Sequence, residues 1–224
     1  MTPAVAAIDR RGTHRLIPAK YSDGSVLEPL ADTPEELQAI FDLDGATNER
    51  LRGEQAGLAG ILPEELVWGV HHERIIRAAY LHPHPQGARF NGPDRGCWYA
   101  GYAQTTSIAE VSFHKTVELL EIDVLEQTIQ YDDYLADFNT TFHDLRDDSR
   151  FEDCLDPGSY TASQRLAAGL LKEDSNGVVY PSVRHPRGTV VGCFRPPLVQ
   201  NVRKGETLTF IWEGETTPRV ERGG

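Results

Sequence analysis

Cysteine, positive charge and long apolar runs are all in short supply in this chain. Three cysteines (Cys97, Cys154, Cys193) stand far apart in 224 residues, with no CxxC pair. So odd and scattered a set excludes a disulfide framework and a zinc knuckle, and it predicts reduced thiols in a cytosolic protein. No stretch approaches the ~18 apolar residues that a membrane-crossing helix needs. The opening MTPAVAAIDRR has too short an apolar run for a signal peptide and carries Asp9 early, so a cytoplasmic location is expected. Lysine and arginine total 22 against 34 aspartates and glutamates, a formal net charge of -12. Such a chain gains nothing by displacing counterions from phosphate, so direct binding to nucleic acid or to an anionic membrane is not expected. A small anionic ligand stays open, because a few local arginines outweigh distant charge beyond the screening length. A glycine-rich GxGxxG turn after a strand, a Walker loop and a Ser/His/Asp elbow are missing too, which excludes their chemistries.

What is present reads as an ordinary soluble domain, 39% apolar and 25% charged. A chain of this length buries roughly 70–75% of its unfolded surface, enough for a core without staples. His14–Pro18 predicts a short opening strand. Thr33-Pro-Glu-Glu36 is a capping box for a helix carrying Leu37, Ile40 and Phe41, and a second helix is expected over Thr47–Leu58. A further turn at Pro63–Trp68 completes a helical elaboration over about 20–70. Arg74–Leu81 alternates Ile76, Ala78 and Tyr80 and predicts a strand, and Cys97–Tyr102 a short aromatic one. Thr105 or Thr106 caps a helix bearing Ile108, Val111 and Val117, and Thr128–Phe138 reads as a strand. Thr161-Ala-Ser-Gln164 opens another helix, through Leu166, Leu170 and Leu171, stopped in a left-handed turn by Asn176-Gly177. Val178–Ser182, Thr189–Arg195, Leu198–Val202 and Thr207–Trp212 then predict successive strands. Without regular strand–helix alternation, repeats or a linker, these elements predict one α+β domain over 1–224, with a core at about 71–215.

The candidate chemistry lies between Gly87 and His114. Arg89 is expected in a loop, Tyr99 in an aromatic strand and Glu110 in the first turn of a helix. Together they supply a fork-shaped cation, an aromatic plate and one carboxylate, the parts needed to hold a dinucleotide and break its glycosidic bond. Plainer readings stand beside these: Arg89 on the surface, Tyr99 in the core, Glu110 favoured by the helix dipole, Ser182 as a turn-forming hydroxyl. Glu110 and His114 share a helix face, but two ligands are too few, so no metal is expected.

These marks resemble the RES domain, the toxin half of bacterial toxin–antitoxin pairs. Gly87-Ala-Arg-Phe-Asn91 matches the family's Gly-x-Arg-(Trp/Phe)-Asn signature, and Tyr99 and Glu110 follow at the family's spacing. Gly177-Val-Val-Tyr-Pro-Ser182 matches its late motif, and Arg15-Leu-Ile its first strand. Ala88 and Phe90 depart from the glycine and tryptophan of many members, and the stretch from about 20 to 70 is longer than in short ones.

The resemblance implies an ADP-ribosyltransferase-like fold with a split central sheet and flanking helices. It also implies consumption of NAD as substrate, by hydrolysis or phosphorolysis, with no further cofactor; some members instead transfer ADP-ribose to a protein. A module that binds NAD without turnover is a third reading. In these terms Glu110 is the catalytic carboxylate, with Arg89 and Tyr99 beside it. Arg15, Arg89, Tyr99 and Ser182 would contact the dinucleotide, and Arg184 could add a phosphate contact. An Xre-like antitoxin is the implied partner, and self-association is expected.

Overall fold

The acidic stretch around Asp132 and Asp133 is no obstacle to strand formation, because each of these carboxylates finds a partner. Asp132 accepts from the Thr207 hydroxyl at 2.5 Å and pairs with Lys204 at 2.8 Å; Asp133 is bonded to His14 at 2.7 Å. The strand they occupy is the longest in the chain. The structure, a computed structural model, describes residues 1–22 and 60–223. The helices expected at Thr33–Phe41 and Thr47–Leu58 lie outside the described residues.

Seven strands form one sheet: β1 Ala4–Pro18, β2 Trp98–Gly101, β3 Glu126–Asp144, β4 Gly177–Pro181, β5 Thr189–Cys193, β6 Gln200–Glu213 and β7 Arg219–Arg222. Among the described residues three α-helices accompany them: α1 Glu73–Leu81, α2 Gln104–Glu121 and α3 Thr161–Lys172. The fold is therefore α+β. The strand order is β1-β2-β5-β4-β3-β6-β7, and β1 also pairs with β3. That extra pairing, antiparallel from Ala4↔Asp144 to Pro18↔Tyr131, closes β1, β2, β5, β4 and β3 into a ring. Among the described residues only the β3–β4 pair is parallel.

Alternation along the strands sends side chains to two faces. Trp98, Ala100, Val179, Val191 and Cys193 pack with Ile75, Ile76, Ala79 and Tyr80 of α1. On the other face Cys97, Val178, Tyr180 and Val190 pack with Ala167 and Leu170 of α3 and with the Tyr99 ring. A third cluster lies under α2, where Leu119, Ile108 and Val111 meet Leu16, Tyr131, Leu208, Phe210 and Trp212.

Several expectations need correction. Arg74–Leu81 lies in a helix, not a strand; Ile75, Ile76, Ala79 and Tyr80 are buried together at helical spacing, and the alternating Ile76-Ala78-Tyr80 pattern is incidental. The opening strand starts at Ala4, ten residues before HRLIP, and β3 runs from Glu126 through Asp144, beyond Thr128–Phe138 at both ends. Thr207–Trp212 and the 200–202 end of the stretch expected at Leu198–Val202 are parts of one strand, β6, while Leu198 ends a 3-10 turn. β7 was not foreseen. Neither threonine near 105 caps α2: the helix starts at Gln104, so Glu110 lies in its second turn. Helix α3 stops at Lys172, and the left-handed residue beyond it is Asp174 (φ 56), short of Asn176-Gly177.

Candidate active site

Arg89 sits at the tip of a tight turn that α3 and β2 hold. Gly87 adopts φ 71, and a Cβ there would collide with the Asn91 carbonyl, so the turn requires glycine. Ala88 N–H donates to Asn91 O at 3.0 Å, closing the turn. From α3, Gln164 Nε2 donates to the carbonyls of Gln86 and Ala88. From β2, the Tyr99 hydroxyl accepts from Phe90 N–H at 2.8 Å and donates to Asn91 Oδ1 at 2.9 Å. Both bonding roles of the phenol are thereby used, and burial pushes its pKa well above 10. Tyr99 acts as a clamp on the arginine turn, where sequence spacing suggested a ligand-stacking plate.

The Arg89 side chain is buried. Its Nη1 donates to Cys154 O at 3.2 Å and Asp156 O at 2.8 Å, and its guanidinium lies 4.7 Å from the Tyr160 ring centroid. Nε and Nη2 make no hydrogen bond among the described residues and are not sealed from solvent. Arg184 is held by the same strap. Its Nη2 donates to Pro157 O at 2.7 Å while the guanidinium stacks on Phe113 of α2 at 3.4 Å. Two cations from separate turns thus rest on the carbonyls of residues 154–157.

Glu110 is fixed from the end of β4. Ser182, one residue past that strand, donates its hydroxyl proton to Glu110 Oε1 at 2.6 Å. Ser182 Oγ in turn accepts from the backbone N–H groups of Arg184 at 3.2 Å and His185 at 2.9 Å, which fixes the hydroxyl rotor toward the carboxylate. One helical turn earlier, Thr106 Oγ1 meets His185 Nδ1 at 3.0 Å. At Gly188 a Cβ would crowd Thr106 and His185 at under 3 Å, so glycine lets the turn approach α2. Glu110 Oε2 faces His114 Nε2 at 3.9 Å, too long for a hydrogen bond. Burial depresses the His114 pKa, Arg184 and Arg89 lower it further, and Glu110 opposes them. Burial raises Tyr180 well above 10, Glu110 adds to the rise and Arg89 counters it. These fields place Arg89, Glu110, Arg184, His114 and the Tyr180 phenol in one electrostatic neighbourhood.

Arg15 does not join it. Its guanidinium lies 4.9 Å from the Trp98 ring centroid, within the cluster that packs on α1, and Nη1 donates to Tyr99 O at 3.2 Å. Nε is buried with no partner among the described residues, and burial lowers the arginine's pKa. Tyr99, whose ring packs on the α3 side, meets Arg15 by hydrogen bond through its backbone carbonyl. Of the expected residues, Arg89, Glu110 and Ser182 come together, Tyr99 supports them and Arg15 faces away. Tyr180 and Tyr160 were missed; each flanks a recognised feature, the Tyr-Pro-Ser motif or the start of α3, but neither has a spacing signal of its own.

A groove of about 850 Å³ runs along the other flank of α2, lined by Pro18–Tyr21, Val111, His114, Lys115, Glu118 and residues 127–131. It shares His114 with the site but not Glu110, Arg89 or Ser182. Among the described residues no group of three or more His, Cys, Asp or Glu side chains is arranged to hold a metal ion, and no helix is long and apolar enough to cross a membrane.

Among curated proteins none matches the sequence. Among solved structures, the crystal structure of the M. tuberculosis MbcT–MbcA toxin–antitoxin complex matches at 16% identity with a TM-score of 0.41, over 55% of this chain and 71% of that one. The family model of the RES domain matches residues 66–213, well over half of the sequence, and the chain belongs to the RES domain family.

Proposed function

We propose that this protein is a toxin of a toxin–antitoxin pair that breaks the nicotinamide–ribose bond of NAD in the cytoplasm. Membership of the RES family supports the toxin role, and the pinned carboxylate of Glu110 carries the chemical reading. In NAD the nicotinamide is bonded as a cation and leaves as a neutral ring, taking the bonding electron pair with it. Departure therefore needs no general acid. Positive charge grows on the ribose carbon, and a preoriented carboxylate favours that state over the ground state. With Oε1 held by Ser182, Oε2 is left to face the sugar and to orient the attacking water, whose proton is released to solvent. One carboxylate suffices, unlike the pair used by ordinary glycosidases. Arg89 would offer Nε and Nη2 to the pyrophosphate as a fork, and Arg184 would add a second cation. The fold would be ADP-ribosyltransferase-like, with residues of about 71–215 as the catalytic core, and a cognate antitoxin would keep the activity in check.

The test is to incubate the purified chain with NAD, with and without phosphate, and to identify the ribose product. Released nicotinamide with free ADP-ribose means hydrolysis, and a phosphorylated ribose means phosphorolysis. ADP-ribose attached to a protein, with bulk NAD unchanged, would favour transfer instead. Glu110→Gln should abolish nicotinamide release while circular dichroism stays native. Wild-type release from the folded variant would remove Glu110 from the reaction, and NAD binding without any release would mark a non-catalytic module.

A further inference from the structure

Helix α2 buries one face under Leu119 and leaves another uncovered. Phe113, Val117 and Leu120, at i, i+4 and i+7, are 37%, 40% and 50% exposed. The apolar line continues past the helix end through Ile122 and Val124, 65% and 41% exposed. Among the described residues the other exposed large apolar side chains, Met1, Val5, Tyr21, Leu62 and Val70, lie well apart from it in sequence. Single exposed apolar residues need no explanation, but a contiguous line does.

Charge identifies what fits there. Glu121 and Asp123 are exposed along one border, and neither makes an ion pair among the described residues. The other border is the loop after β6, which is tied down beside the line. Thr116 Oγ1 donates to Thr216 O at 3.0 Å, and Gly214 N–H donates to Leu125 O at 2.9 Å. That loop brings Glu215, also exposed and unpaired among the described residues, with Glu213 before it. Of the cations nearby, Lys115 is engaged by Glu118 at 2.8 Å and Arg219 by Glu213 at 3.5 Å, while Arg184 lies at the Phe113 end, bonded to Pro157 O. An apolar seam between two acidic borders repels a second copy of the same surface, since the borders would face each other and the whole chain carries -12. Anionic lipid is repelled for the same reason.

We infer that the Phe113–Val117–Leu120 face, extended by Ile122 and Val124, docks an amphipathic helix of a partner protein whose apolar stripe is bordered by lysine or arginine. The i, i+4, i+7 spacing presents a straight ridge about 10 Å long, which suits the groove of another helix. This reading is independent of the chemistry assigned to Glu110. It has one consequence for that site: Phe113, at one end of the seam, is the ring on which Arg184 stacks, so a helix laid along the seam ends at the mouth of the site.

The probe is a synthetic leucine–lysine amphipathic helix, compared with its leucine–glutamate counterpart, with binding followed by fluorescence anisotropy at low and moderate salt. The lysine peptide should bind the wild-type chain and the glutamate peptide should not. The double variant Val117→Ser/Leu120→Ser, on exposed positions, should keep its circular dichroism spectrum and bind at least about tenfold more weakly. Glu121→Lys/Asp123→Lys should also weaken the lysine peptide, and Val70→Ser should leave binding unchanged. The inference fails if the lysine peptide does not bind, or if the glutamate peptide binds equally well. It fails too if the serine double variant binds as the wild type does. A wild-type dimer in sedimentation that the serine variant dissolves would assign the face to a second copy and overturn it as well.

Discussion

The Ser182 hydroxyl donates to Glu110 Oε1 at 2.6 Å while accepting from the backbone N–H groups of Arg184 and His185. A hydroxyl has one proton, and the two N–H donors occupy its lone pairs, so the proton has only the carboxylate to meet. Ser182 acts on Glu110 as a positioning residue. Ser182→Ala should lower kcat for nicotinamide release by about tenfold to a hundredfold, because a small misplacement of a catalytic group is costly. KM should stay near the wild-type value. A raised KM with unchanged kcat would instead make Ser182 a ligand contact.

Tyr99→Phe removes the acceptor for Phe90 N–H and the donor to Asn91 while keeping the ring. The variant should lose about 1–3 kcal/mol of stability, the cost of stranding partly buried polar groups. Urea denaturation reads this loss directly. Activity should fall along with stability, since the turn that carries Arg89 loosens.

Arg15→Met tests the division between the two faces of the sheet. Replacing a half-buried, incompletely satisfied cation by an apolar chain of similar length removes a desolvation cost. Stability should hold, and KM for NAD should stay within about twofold of wild type. A KM raised tenfold or more would return Arg15 to the site.

Burial depresses the pKa of His72, His82, His114 and His143 below the ordinary histidine value of about 6.5. The unfolded chain therefore binds protons more readily than the folded one in this range. The stability associated with these neutral rings is present above about pH 6.5 and is lost as pH falls through their lower folded values. The melting temperature should drop between pH 7 and pH 5. His143→Gln should flatten part of that slope, its ring being bonded to Ser175 Oγ at 2.9 Å. His114→Gln should flatten less, because half of that side chain is exposed.

The Arg89–Tyr99–Glu110 spacing was legible because glycine, arginine and asparagine requirements of one turn leave a local mark. The clamp made by Tyr99 was not, since its partners at Phe90 and Asn91 are a matter of how β2 lies against the turn. Tertiary pairing also decided the long strands. Asp132, Asp133 and Asp137 spoil the apolar pattern of β3, yet each pairs with a cross-strand group on β1 or β6. Helix α1 was misread because eight residues with apolar positions at both spacings fit either period. The position of Arg15 was hidden by the same alternation that placed its strand, as the face it points to depends on register with β2.

One consequence follows from the way residues 154–157 grip Arg89 and Arg184 through their carbonyl groups. These guanidinium groups are coordinated by neutral oxygens, so they neither collapse onto a stray carboxylate nor wander in solvent. An incoming anion meets donors held in place, and any bond it takes from a peptide oxygen is an exchange rather than a net gain. Tightness of capture is then governed by how readily this short segment yields, and changes at Pro157 or Gly158 should tune affinity from outside the pocket itself.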